Sequence, residues 1–165
     1  FNLNLKQPTE TFTMPKENTK DLITFLQPFP ESVKEMTLWL REFIWNLYPD
    51  CNELIYDNYN ALAIGFATTD KAGDAFCSLA VYSKYLNFGF NRGTEIADPN
   101  KILHGNGSLY RYIRIKEKND FPKAYITKLL KDAYLNSLAR LKERKQTVKG
   151  QTITKSISPV QRRPK

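Results

Sequence analysis

The sequence predicts an α+β domain in which an antiparallel sheet of about four to five strands carries helices on one face. Two segments with helical periodicity precede a run of strand-like segments, and a third helical segment follows them. The links between the first three strand-like segments are too short for parallel crossovers, so we expect an antiparallel meander. With 165 residues, 41% of them hydrophobic, the chain is long enough to bury its own core.

Three helices are predicted from capping residues and apolar spacing. The first begins near Thr19 and ends at Pro28, which stops it. The second begins at Pro30 and repeats apolar residues at steps of three and four as far as Tyr48. The third begins after Asp120, and its apolar pattern fades near residue 145.

Four segments read as strands because apolar residues alternate in them or turn formers bound them. They are Ala61–Ala67, Ala75–Tyr82, Tyr85–Phe90 and Leu109–Lys116. In the last of these, period-two alternation places Arg111 on the same face as two isoleucines, and Tyr110, Tyr112, Arg114 and Lys116 on the other.

Charge and composition divide the chain into three parts, an N-terminal arm at 1–15, one α+β domain at 16–145 and a flexible basic tail at 146–165. Residues 140–165 hold nine basic residues against one acid, whereas residues 1–139 hold sixteen of each. Nucleic-acid binding is therefore not expected of the folded domain, and only weak contact is expected of the tail. The tail is also expected to be dispensable for folding.

Few reactive residues are present, which limits the function classes. One histidine and two cysteines, far apart in sequence, do not form a structural zinc motif or a C-x-x-C redox motif.

Neither a signal peptide nor a membrane-spanning stretch is predicted, so we expect a cytoplasmic protein. No catalytic residue is predicted, and iron is the only candidate cofactor.

A glycine loop at residues 104–108 is the most conspicuous local motif. Gly105 and Gly107 allow backbone N–H groups to turn toward an anion, and His104 stands beside them. The loop precedes a strand instead of a helix, so the dinucleotide-binding and P-loop patterns both fail. An ordinary turn is the alternative interpretation.

Two arginines flank this loop in the predicted sheet. Arg92 follows the third strand, and Arg111 lies among apolar neighbours, where a guanidinium needs an anion or water. We expect either a bound small anion or a structural ion pair with Asp57 or Asp98.

Polar and acidic residues cluster near residue 55. Asn58 and Tyr59 are expected to form either a polar pocket wall or an ordinary turn. The carboxylates of Asp50, Glu53 and Asp57 form either a hard-cation site or a solvated acidic turn.

Taken together, these motifs resemble a bacterial family called domain of unknown function 1801, over roughly residues 20–140. The residues that carry the resemblance are Tyr48-Pro49-Asp50, Glu53–Tyr56, Asn87–Gly93, Asp98-Pro99, Leu103–Gly107 and Arg111–Ile115. The chain departs from the family's pattern at three positions, His104, Ser108 and Tyr112. The resemblance implies a small α+β fold, and some members are described as frataxin-like iron chaperones.

Three functions follow as hypotheses. The first is a non-enzymatic binding domain that holds a small anion or a partner's carboxylate near the glycine loop. Its site would comprise Asn58, Tyr59, Arg92, His104, Gly105, Gly107 and Arg111. The second is an iron-binding chaperone that uses the three carboxylates, and the third is an enzyme with His104 as general acid–base.

Overall fold

The computed structural model describes residues 19–141 and 149–160 and confirms the α+β fold. Within these residues, no helix is both long and apolar enough to cross a membrane. The helices and strands are α1 (Thr19–Leu26), α2 (Glu31–Leu47), β1 (Asn52–Asp57), β2 (Leu62–Ala67), β3 (Ala75–Val81), β4 (Leu86–Phe90), β5 (Arg111–Ile115), α3 (Lys123–Leu141) and β6 (Thr152–Ile157).

The sheet has six strands in the order β5-β4-β3-β2-β1-β6. The first five pair antiparallel, as predicted for the meander. Two strands were not predicted: β1 lies where the sequence indicated a turn, and β6 lies in the expected tail. Since β6 pairs with β1 in parallel, the sheet is mixed, and the prediction of four to five antiparallel strands is wrong.

One face of the sheet packs against the helices and forms the main core. Ile64 and Phe66 point to this side and are fully buried, together with Leu40 and Ile44 of α2. Residues of opposite parity, such as Gly65, lie on the other face, which we call the second face. Part of this face is covered too, since Leu54 of β1 is fully buried there. The helices therefore lie on one side of the sheet, as the sequence predicted.

The strand β6 lies within residues 146–165, so the prediction that this whole segment is a flexible tail is wrong. Thr152 is buried and pairs with Glu53, and the parallel ladder continues to the end of β1. The domain therefore extends beyond residue 145. The predicted arm at 1–15 and residues 142–148 and 161–165 lie outside the described residues.

A buried ion pair joins α2 to the β1–β6 edge of the sheet. The Arg41 guanidinium donates two hydrogen bonds to the Glu53 carboxylate, from Nε to Oε2 and from Nη2 to Oε1, the latter at 2.9 Å. Thr152 donates its hydroxyl to the same carboxylate at 2.9 Å. Arg41 also lies 4.7 Å from the centroid of the Trp45 ring. Glu53 is fully buried and Arg41 is 4% exposed, so this contact is shielded from solvent.

Candidate functional site

The structure places Arg111 beside the glycine loop but without the predicted acidic partner. Its Nη1 donates to the carbonyl oxygens of Gly107 and Tyr110, each at 2.7 Å. Asp98, one of the predicted partners, accepts from Tyr125 and from the backbone of the next loop. The predicted ion pair of Arg111 with Asp57 or Asp98 is wrong: the side chain is half-buried, and backbone carbonyls accept its hydrogen bonds.

Arg92 also has a different partner from those predicted. Its guanidinium binds the Glu95 carboxylate in a bidentate way, with distances of 2.8 and 2.7 Å. The hydrogen bond between the two residues raises the pKa of Arg92 and lowers that of Glu95. Arg140 approaches the same carboxylate at 3.5 Å. Arg92 is therefore already neutralised by a local, solvent-exposed pair.

The glycine loop at residues 104–108 pairs with the edge strand β5 through His104. His104 forms an isolated antiparallel bridge with Tyr112, with reciprocal N–H···O=C distances of 2.7 and 2.9 Å. Gly105 has a φ of +120°, and a Cβ there would lie 3.1 Å from the Tyr110 carbonyl oxygen, so glycine is favoured on both counts. The loop thus extends the edge of β5 by one bridge and leaves the His104 side chain exposed.

Asn58 and Tyr59 lie far from this loop. Both are exposed in the turn between β1 and β2, whereas the loop adjoins β5. Four strand spacings separate β1 from β5, which amounts to about 19 Å. The structure therefore does not bring these two residues into one site with the glycine loop, and the prediction of a shared pocket is wrong.

The three carboxylates proposed for iron do not converge. Glu53 is occupied by Arg41 and Thr152, and Asp57 lies four residues further along β1, about 13 Å away by strand rise. Asp50 is exposed ahead of the strand. In the described part of the chain, no three histidine, cysteine, aspartate or glutamate side chains form a group suited to a metal ion.

An open groove of about 510 Å³ runs beside the β5 edge. Its polar lining includes His104, Arg114, Lys116 and Asp120, and Ile113 is part of its apolar lining. The Asp120 carboxylate accepts the backbone N–H groups of Lys116 and Glu117 at 2.9 and 3.1 Å.

Arg114 and Lys116 are the basic side chains that distinguish this groove. Arg114 donates to Asn87 at 3.3 Å, and its guanidinium lies 4.0 Å from the Tyr85 ring centroid. Within residues 19–141 and 149–160, neither Arg114 nor Lys116 forms an ion pair. These two cations therefore remain available to an anion, unlike Arg92.

Sequence reasoning missed Arg114 and Lys116 as site residues, although the signal was present. The alternation in β5 places both on the face opposite Ile113, together with Tyr112. The sequence analysis selected Arg111 instead, because a guanidinium on the apolar face of a strand needs an anion or water.

No protein-family model matches this chain, and neither a curated protein sequence nor a solved structure matches it significantly.

Proposed function

We propose that this chain is a non-enzymatic binding domain that holds an anionic ligand in the groove beside β5. The observation that carries the proposal is a pair of basic side chains, Arg114 and Lys116, that form no ion pair within the described residues and line a groove together with His104. This keeps the anionic ligand inferred from the sequence but moves its charged contacts from Arg92 and Arg111 to the other face of β5.

The arrangement is suited to binding an anion. Packing on Tyr85 and the hydrogen bond to Asn87 restrict the Arg114 guanidinium, so less side-chain entropy is lost when it binds. The nearby Asp120 carboxylate caps backbone N–H groups, which reduces its repulsion of an incoming anion.

Two free, buried thiols support a cytoplasmic location, which we include in the proposal.

Calorimetry with inorganic pyrophosphate tests this function. Arg114→Gln is expected to weaken binding about tenfold or more, because a hydrogen bond to a charged group contributes about 1.5–3 kcal/mol. Lys116→Gln is expected to weaken it less, since lysine binds as a point charge. Lys128→Gln removes an exposed lysine of α3 that does not line the groove, and it should leave the affinity unchanged.

Two results would contradict the proposal. One is an absence of pyrophosphate binding at millimolar concentration. The other is an equal loss of affinity in the Lys128 and Arg114 variants, since that would indicate general attraction to a basic protein.

A further inference from the structure

The second face of the sheet carries a group of aromatic side chains next to the groove. We call this group, together with the Arg114 guanidinium that covers one of the rings, the aromatic platform. Its members are Tyr82, Tyr85, His104, Tyr110, Tyr112 and Arg114. The four tyrosines are half-buried, and His104 and Arg114 are exposed.

The rings of the platform contact one another in two groups. The Tyr110 and Tyr112 rings stack with centroids 5.8 Å apart and an interplanar angle of 21°, and His104 follows at 6.1 Å from Tyr112. In the second group, Tyr82 and Tyr85 lie 5.0 Å apart, and the Arg114 guanidinium covers Tyr85.

Small residues of the sheet allow the platform to lie close to the strands. Tyr110 crosses Gly89, where an added Cβ would lie only 2.2 Å from the tyrosine oxygen. Gly89 pairs with Ser78 on β3, which hydrogen-bonds to Tyr110. The Tyr110 ring therefore packs against Gly89, and the Tyr112 ring stacks beside it.

Charge is unevenly distributed over the folded part. Residues 75–141 hold eleven lysines and arginines against five aspartates and glutamates, a net charge of +6, whereas residues 19–74 hold four against nine, a net charge of −5. Residues 75–141 supply β4 and β5, on which the platform lies, and also α3, which packs on the helix side of the sheet. The zero net charge of residues 1–139 conceals this separation.

We propose that the aromatic platform binds single-stranded nucleic acid, with bases stacked on the rings and phosphates held by the groove. This rests on the proposed anion-binding function and names its ligand class. Arg114 and His104 belong to both surfaces, so a base on the platform and a phosphate in the groove would be neighbours.

The chemistry favours a single strand over other ligands. Aromatic side chains and arginine planes stack on unpaired bases, whose faces are hidden in a duplex. A neutral carbohydrate would use the rings but not Arg114 and Lys116. Inorganic polyphosphate would use the cations but not the rings.

Fluorescence anisotropy with the full chain tests the inference. The probes are a labelled ten-nucleotide single-stranded RNA, the same sequence as DNA, and its duplex, with inorganic polyphosphate as competitor. We expect the single strands to bind more tightly than the duplex. Tyr112→Ile, which keeps a strand-forming residue, should weaken single-strand binding about fivefold or more, and Tyr112→Phe should retain it.

Matched controls separate stacking from general attraction. Tyr59→Ile removes an exposed tyrosine of the β1–β2 turn that makes none of the platform's ring contacts, and it should leave RNA affinity unchanged. Polyphosphate should bind the wild type and Tyr112→Ile equally. If Tyr112→Ile fails to fold, Tyr85→Ile replaces it with the same expected loss.

Three outcomes overturn the inference. If pyrophosphate binds through Arg114 but no oligonucleotide binds at 50 mM salt, the anion-binding function stands and the nucleic-acid ligand is wrong. Equal RNA affinity of the wild type and the Tyr112→Ile and Tyr85→Ile variants would indicate purely electrostatic binding, as expected of the basic C-terminal residues. If neither pyrophosphate nor RNA binds, both proposals fail.

Discussion

Replacing Arg41 with methionine is expected to destabilise the domain strongly, because it leaves the buried Glu53 carboxylate without its cation. The carboxylate is fully buried and would lose both hydrogen bonds from the guanidinium, while the bond from Thr152 would remain. Breaking a buried ion pair from one side typically costs about 3–5 kcal/mol.

This magnitude is large compared with the stability of an ordinary domain, which is about 5–15 kcal/mol. With a urea m-value of about 2 kcal/mol per molar, the unfolding midpoint should fall by about 2 M. The measurement is urea unfolding of the full chain, followed by circular dichroism.

A second variant distinguishes a stranded charge from lost packing. Arg41→Met combined with Glu53→Gln removes the charge and preserves an acceptor for Thr152, so we expect it to recover at least half of the loss. The reasoning is refuted if Arg41→Met costs less than about 1 kcal/mol, which would match a surface pair. It is also refuted if the double variant is no more stable than the single one, since the loss would then come from packing on Trp45.

Three further predictions address other parts of the fold. Deleting residues 149–165 removes β6 and should lower the Tm by more than about 5 °C, whereas unchanged melting would contradict the β1–β6 pairing. Gly93→Ala places a Cβ 2.5 Å from the Arg111 Cβ and should cost about 1–3 kcal/mol in urea unfolding, while Gly73→Ala meets nothing within 4 Å and should stay within about 0.5 kcal/mol. Burial raises the pKa of Tyr110 to about 12, so its stabilising contribution is complete below about pH 10 and is lost as pH rises through 12. An absorbance titration should show a smaller high-pH transition in Tyr110→Phe than in the wild type, since burial raises the pKa of other tyrosines as well.

Most elements could be predicted because their apolar residues follow a single period. The second helix repeats at steps of three and four, and the meander has short links, so both were found within a residue or two. The strand β1 was missed because its helix-facing side carries Glu53 and Asp57 in place of apolar residues. The partner that makes Glu53 tolerable, Arg41, lies on another element, and no local pattern reveals it.

The strand β6 and the candidate site were harder to predict, because the contacts that form them join residues far apart in the sequence. The sequence of β6 is polar, and it pairs with a strand about a hundred residues earlier, which composition does not indicate. For the site, the sequence did not give the strand order that separates Tyr59 from the glycine loop. Arg111 was misjudged because backbone carbonyls, which have no sequence signature, satisfy its guanidinium.

The position of β6 has a consequence for the protein during its synthesis. Until residue 157 has left the ribosome, β1 ends the sheet and presents unpaired N–H and C=O groups, a template for pairing with another chain. A nascent or prematurely terminated chain is therefore exposed to aggregation at β1, although its helices and the meander are complete. Once β6 docks, the outer strand carries Lys155, a charged residue that discourages further strand addition. Of the described strands, β6 is therefore the one that is synthesised last and that covers the pairing edge of β1.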